Sequence, residues 1–302
     1  MVLRSRSLER LLGSLIVVLA TAGLATAGES LVDETSNFAD VEQHVERYVE
    51  EFGAERVLLV VDIDNTLLAM NAALGSDQWF EWQNYLLEHQ PESPQLVAKD
   101  FDSLLAVQDT LFALGKMHPP QAGQPAIVAR IQEMGVQSVV LTSRGPEFRS
   151  YTERELARNG YRLATTAMKV KGVPRHSFKP YNLEAISRSG LTAAEAKLFR
   201  LRRPREASYL NGIFMTSGQH KGAMLLILLQ KARQPVDAVV FVDDHGRHVT
   251  RVYDALVRRG VTVTSVHYKR EDANVNRFKY GDKHRVTDQW RRLDKTVRAV
   301  FD

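Results

Sequence analysis

Five apolar residues, Val57 to Val61, run without interruption into Asp62-Ile63-Asp64-Asn65-Thr66. A strand that is apolar on both faces needs cover on both, the situation of an inner strand in a parallel sheet flanked by helices. The pattern recurs at Val136 to Leu141, which ends in Thr142-Ser143-Arg144-Gly145, and at Ala238 to Val242, which ends in Asp243-Asp244. Short strands at Ile213 to Met215 and Val261 to His267 complete the set.

Helical spacing fills the intervals. Apolar residues recur at helical periods over Asp40 to Phe52, Gln78 to His89, Phe101 to Leu114, Ala126 to Met134, Pro146 to Asn159, Ala223 to Leu229 and Arg247 to Arg259. Alternating strands and helices predict an α/β protein with a doubly wound, mainly parallel sheet. Ligands of such sheets bind outside the carboxyl ends of the strands, which is where Asp62, Thr142 and Asp243 fall.

Asp62 and Asp64 flank one residue, so both carboxylates leave the strand end on the same side. One can attack an electrophile while the other moves a proton, and the pair can also hold a hard divalent cation through oxygen.

Residues 1–27 have the layout of a secretory signal: Arg4, Arg6 and Arg10, the apolar run Leu11 to Ala20, then Ala25-Thr26-Ala27 before Gly28. The run is short and diluted, which favours cleavage after Ala27 over a permanent span and leaves an uncleaved anchor as the alternative. Losing three Arg and one Glu takes the formal charge from +4 to +2, which gives no reason to expect nucleic acid as a partner. The chain has no cysteine, which excludes disulfides, thiolate metal sites and cysteine catalysis, while 302 residues suffice for a core that needs no covalent staples. A periplasmic or secreted location follows, with membrane contact only through the signal during export.

The ordered set Asp62-Ile63-Asp64-Asn65-Thr66, Thr142, Lys221 and Asp243-Asp244 resembles the four motifs of the haloacid dehalogenase-like superfamily over about residues 55–270. Gly75-Ser76-Asp77-Gln78-Trp79-Phe80, Asn211-Gly212-Ile213 and Lys221-Gly222 further resemble an uncharacterised family of exported bacterial proteins within it. Secreted class B acid phosphatases share the export and the first motif, but the long stretch between the second and third motifs departs from them.

The resemblance implies an exported phosphatase acting on a small phosphomonoester. Asp62 would be the nucleophile that becomes an aspartyl phosphate, and Asp64 the general acid/base. Thr142 and Lys221 would serve catalysis and bind the phosphoryl group. Mg2+ would be held by Asp62, Asp243, the backbone carbonyl of Asp64 and Asp244. An acid at position 64 suits phosphoester cleavage, where the leaving group needs a proton, rather than dehalogenation. Arg144 reads either as a phosphate ligand or as a local ion pair. His220, His245 and His248 read as neighbours of the motifs, since an oxygen-rich site suits Mg2+.

The domain reading that follows has residues 28–68 and 126–302 as the catalytic core, 69–125 as a helical cap and 160–212 as a second cap insertion. Trp79 and Trp82 read as cap packing, and Arg200, Arg202, Arg203 and Arg205 as a solvated basic face. The alternative function is a non-catalytic or weakly active binding protein on the same fold.

Overall fold

A computed structural model describes residues 29–301; the signal segment expected at 1–27 lies outside the described residues. In chain order the elements are β1 (Leu31–Thr35), α1 (Phe38–Phe52), β2 (Val57–Val61), β3 (Ala69–Met70), α2 (Asp77–His89), α3 (Phe101–Leu114), β4 (Met117–His118), α4 (Gln124–Glu133) and β5 (Gln137–Thr142). They continue with α5 (Arg149–Arg158), α6 (Ala193–Leu198), β6 (Ser208–Leu210), β7 (Ile213–Met215), α7 (Lys221–Leu229), β8 (Ala238–Asp243), α8 (Gly246–Val257), β9 (Thr262–Tyr268), α9 (Asp272–Tyr280) and α10 (His284–Phe301).

Seven strands form one sheet in the order β1-β9-β8-β2-β5-β7-β6, parallel throughout except for the antiparallel β6–β7 pair at one edge. The doubly wound, mainly parallel α/β fold is therefore present. The strand period of two divides the core. Val57, Leu59 and Val61 point with Val240 and Val242 into a cluster with Val41 and Val45 of α1 and Ile127 and Ile131 of α4. Leu58 and Val60 point the other way, with Val239 and Phe241, against α7 and α8. From β2 the chain builds outward through β5 to β7, then returns to the other side of β2 with β8. The β2–β8 junction is thus the point where strand order reverses, and a crevice forms there.

Three departures from the sequence expectations have physical causes. β1 lies at the sheet edge, and its residues alternate between half-buried and exposed, so Leu31-Val32-Asp33-Glu34-Thr35 lacks the apolar run that marks an inner strand. The stretch 160–212, expected as a second cap insertion, buries Met168, Tyr181, Ile186, Leu191 and Phe199 against the α7 face, so its apolar residues build that core layer. The C-terminal helices, assigned to the core by the expected boundary at 302, pack on the insertion instead. Val286 joins Trp79, Leu104 and Leu111 in a separate cluster, with Trp290 and Leu293 of α10 and Phe278 of α9 against it. That cluster gives Trp79 and Trp82 their packing role. The insertion leaves and re-enters through the short β3–β4 pair, which aligns Ala69 with His118 and Met70 with Met117.

Gly222 sets how closely α7 approaches α8. A Cβ there would overlap the Arg251 carbonyl oxygen and lie 2.8 Å from Ala255 Cβ. Because backbone cannot yield as a side chain can, Gly222→Ala is expected to lower stability by about 1–3 kcal/mol in urea denaturation. A smaller effect would show that α7 is not pinned at this depth. No helix among the described residues is long and apolar enough to cross a membrane.

Candidate active site

The crevice is built first by backbone. The Asp62 N–H donates to the Val242 carbonyl at 2.9 Å, extending the β2–β8 ladder by one residue and placing Asp62 beside Asp243. The Ile63 carbonyl then accepts the N–H groups of Thr66, Leu67 and Leu68, closing a tight turn. Asn65 occupies a left-handed conformation in that turn, with φ of 56°, one that Asn tolerates better than most residues. Its amide donates to Asp244 Oδ2 at 3.2 Å.

Lys221, at the start of α7, reaches both strand ends. Its Nζ lies 2.6 Å from Asp62 Oδ1 and 2.6 Å from Asp243 Oδ2, and all three side chains are buried. Burial raises the Asp62 carboxyl to about 7, Lys221 counteracts this, and the carboxylates of Asp243 and Asp64 add to the rise. Burial alone would lower Lys221, but Asp243 and Asp62 outweigh it and hold the ammonium above its ordinary value. Burial also raises Asp244 well above its ordinary value, and the neighbouring carboxylates Asp77, Asp243 and Asp62 add to this while His245 opposes it. Asp244 Oδ1 is buried with no hydrogen-bond partner.

Asp62, Asp243 and Asp244 each offer a carboxylate oxygen, all within 4.8 Å of one another. Three hard anionic donors facing one cation, with one oxygen unsatisfied, fit Mg2+ in the chemistry of the donor set. Thr142, at the end of β5, is fully buried. Its Oγ1 accepts the Arg144 N–H at 3.1 Å, and its own carbonyl accepts from Thr216, so the hydroxyl proton is left without an acceptor among the described residues.

The structure brings six of the seven predicted side chains to these adjoining strand ends and couples the seventh to them by an ion pair. Arg144 holds Asp64 bidentately, Nε to Oδ2 at 2.9 Å and Nη2 to Oδ1 at 2.7 Å. The same guanidinium donates to Thr152 Oγ1 and stacks over Phe112 of α3, 4.1 Å from the ring centroid. Arg144 thus links the acid/base candidate to the insertion. Arg144→Gln is expected to cost about 1–3 kcal/mol in urea denaturation, because it breaks a fork that a neutral amide cannot reproduce. An unchanged midpoint would place the pair among those that contribute nothing.

Sequence reasoning missed a second link. His245, two residues past Asp243, lies 3.1 Å from Asp77 Oδ2 and 3.7 Å from Glu81 Oε1, one turn apart on α2. Burial would lower His245, but the hydrogen bond to Asp77 and the charges of Asp244, Asp77 and Glu81 raise it to about 10. The available signal was the four-residue spacing of Asp77 and Glu81, which puts both carboxylates on one helix face. Beside Asn65, a cleft of about 580 Å³ opens between the insertion and the C-terminal helices, with Gln78, His118, Arg277 and Arg285 on its walls.

Two comparisons bear on this chain. It is 20% identical over 221 residues to a Chlamydia pneumoniae protein named "Putative outer membrane protein", a match that covers 73% of this chain and 72% of that protein. A family model described as "Protein of unknown function (DUF2608)" matches residues 34–300, from β1 into α10, so the match takes in the core, the insertion and the C-terminal helices together. The chain therefore belongs to the DUF2608 family.

Proposed function

We propose that this chain is an exported, Mg2+-dependent phosphatase of the haloacid dehalogenase-like kind, hydrolysing a small phosphomonoester through an aspartyl phosphate on Asp62. The observation that carries the reading is the buried Asp62–Lys221–Asp243 group at the strand-order reversal, with Thr142 on the adjoining strand. Export is supported by the layout of residues 1–27 and agrees with the name of the Chlamydia pneumoniae relative, giving a periplasmic or secreted location.

Asp62, Asp243 and Asp244, with the backbone carbonyl of Asp64, would hold Mg2+, whose charge neutralises phosphoryl oxygens when it is bound. Asp62 attacks phosphorus; the bond to the leaving oxygen breaks, and that oxygen takes a proton from Asp64. Asp64, now a carboxylate, accepts a proton from water as the water oxygen attacks phosphorus. The bond from phosphorus to Asp62 breaks, releasing inorganic phosphate and restoring both groups. Lys221 and the free hydroxyl proton of Thr142 supply donors to the phosphoryl oxygens.

Arg144 occupies both carboxylate oxygens of Asp64. The first half requires Arg144 to release it, and an incoming phosphoryl group is the competing anion for that guanidinium. The chosen substrate would be set by the cleft beside Asn65, where Arg277 and Arg285 lie.

The test is release of phosphate from an aryl phosphate by the purified protein with Mg2+ and with chelator. Mg2+-dependent turnover supports the reading, and no turnover of the aryl ester or of a panel of phosphorylated metabolites overturns it. The Arg144–Asp64 clamp favours one second reading, a binding protein that keeps this fold without turnover. Beryllofluoride with Mg2+ separates the two, since thermal stabilisation beyond that of Mg2+ alone marks a nucleophile able to accept the phosphoryl mimic.

A further inference from the structure

Arg200, Arg202, Arg203 and Arg205 are exposed, as expected of a solvated basic face, but the face they form is concave. Arg200, Arg202, Arg203 and Arg205 share a concave wall with Arg251 of α8 and Arg258 at its C-cap, around a groove of about 830 Å³. Among the described residues, Asp254 is the only carboxylate on that wall. None of the six guanidiniums makes an ion pair among the described residues, although Arg259 next door is paired with Glu195, and Lys179 with Glu206. Nearby acids are thus already engaged, and six like charges face one cavity against one carboxylate. Like charges gathered on one wall repel, so an anion that fills the groove relieves them.

The backbone at Arg200 points the same way. This residue follows the C-cap of α6 in a left-handed conformation, φ 50°, a position where glycine is the usual occupant. The Arg205 guanidinium lies over Gly218, in the loop that leads to Lys221. The groove's aromatic faces are used internally. Phe199 stacks on His220 at 4.8 Å, and the Tyr181 hydroxyl donates to the Arg202 carbonyl. No open ring remains among these as a platform for nucleobases, which argues against single-stranded nucleic acid.

We propose that this groove is a binding site for a ligand carrying two or more phosphate groups, separate from the crevice at Asp62. Guanidinium forks match phosphate oxygens bidentately, and two phosphates come close to balancing six arginines and one aspartate. The proposal stands independently of the hydrolase reading, because it rests on other residues and its readout is binding.

Titration calorimetry with inorganic tripolyphosphate, and co-sedimentation with phosphatidate-containing vesicles, test it on the purified protein. Binding of either probe, weakened by added salt, is the expected result, and which probe binds tells a free polyphosphate from a lipid headgroup. The triple variant Arg202→Ser, Arg203→Ser, Arg258→Ser is expected to bind at least about tenfold more weakly. Asp62→Asn is expected to bind as the parent does. Arg200→Gly guards against misfolding: its melting temperature should not fall, yet its binding should. Failure of both probes, undiminished binding by the triple variant, or tighter binding of a glutamate-rich peptide or of single-stranded DNA would overturn the proposal.

Discussion

Asp62→Asn is expected to reduce hydrolysis of an aryl phosphate by at least about 10³-fold, because the amide cannot form the acyl phosphate that splits the reaction into two steps. The substitution is nearly isosteric, and Lys221 keeps its 2.6 Å contact with Asp243, so the fold should survive. Stability should hold or rise. Asp62 is a buried carboxyl pushed up to about 7 by burial and by its acidic neighbours, and a neutral amide removes that repulsion. Lost turnover with undiminished stability is the signature of a group retained for chemistry. A variant that still turns over at the parental rate would remove Asp62 as nucleophile.

The second large effect concerns pH and cation. Asp62 moves from 3.8 to about 7 on folding, so between these values the folded protein keeps a proton that the unfolded chain has lost. In the metal-free protein the stability that Asp62 contributes should therefore be lost as pH rises from about 4 to about 7, by an amount on the order of 4 kcal/mol, while that of His245, held at about 10, is lost between about 6.5 and 10. Lys221, raised above its ordinary 10.5, adds stability that is complete throughout this window and is lost only at more alkaline pH. Mg2+ competes with the proton, so it should stabilise the protein more at pH 8 than at pH 5. Lys221→Met leaves Asp62 and Asp243 buried without their cation and should cost about 3–5 kcal/mol at pH 8, and less at pH 5, where Asp62 is protonated. Urea denaturation at both pH values, with chelator and with Mg2+, checks all three. A cost of Lys221→Met equal at both pH values would show that the carboxylates do not depend on this ammonium.

The inner sheet was legible because its strands are short, doubly buried and apolar, so Val57–Val61 and Ile213–Met215 have the bounds their apolar runs suggest. β1 was not legible, since an edge strand that exposes Val32 and Glu34 and half-buries Asp33 carries no comparable pattern. The candidate site followed from strand ends, which topology gathers without long-range knowledge. Its couplings did not. Asp64 and Arg144 lie 80 residues apart and meet through the β2–β5 pairing, while Asp77 and His245 lie 168 apart and meet because the insertion packs on the core. The arginine groove shows the same limit. The run at 200–205 was visible, but α8 and its C-cap bring Arg251 and Arg258 beside it only once the chain has folded, and their addition makes a basic stretch one wall of a groove.

Hydrolysis by this route requires a phosphoryl group carried on Asp62. Acid quenching of the protein during turnover of an aryl phosphate with Mg2+, followed by mass analysis of its peptides, addresses it directly. A peptide containing Asp62 should gain the mass of one phosphoryl group, a gain absent from Asp62→Asn. Steady hydrolysis with the phosphoryl group on another residue, or with none on the protein under conditions that accumulate the intermediate, would contradict it.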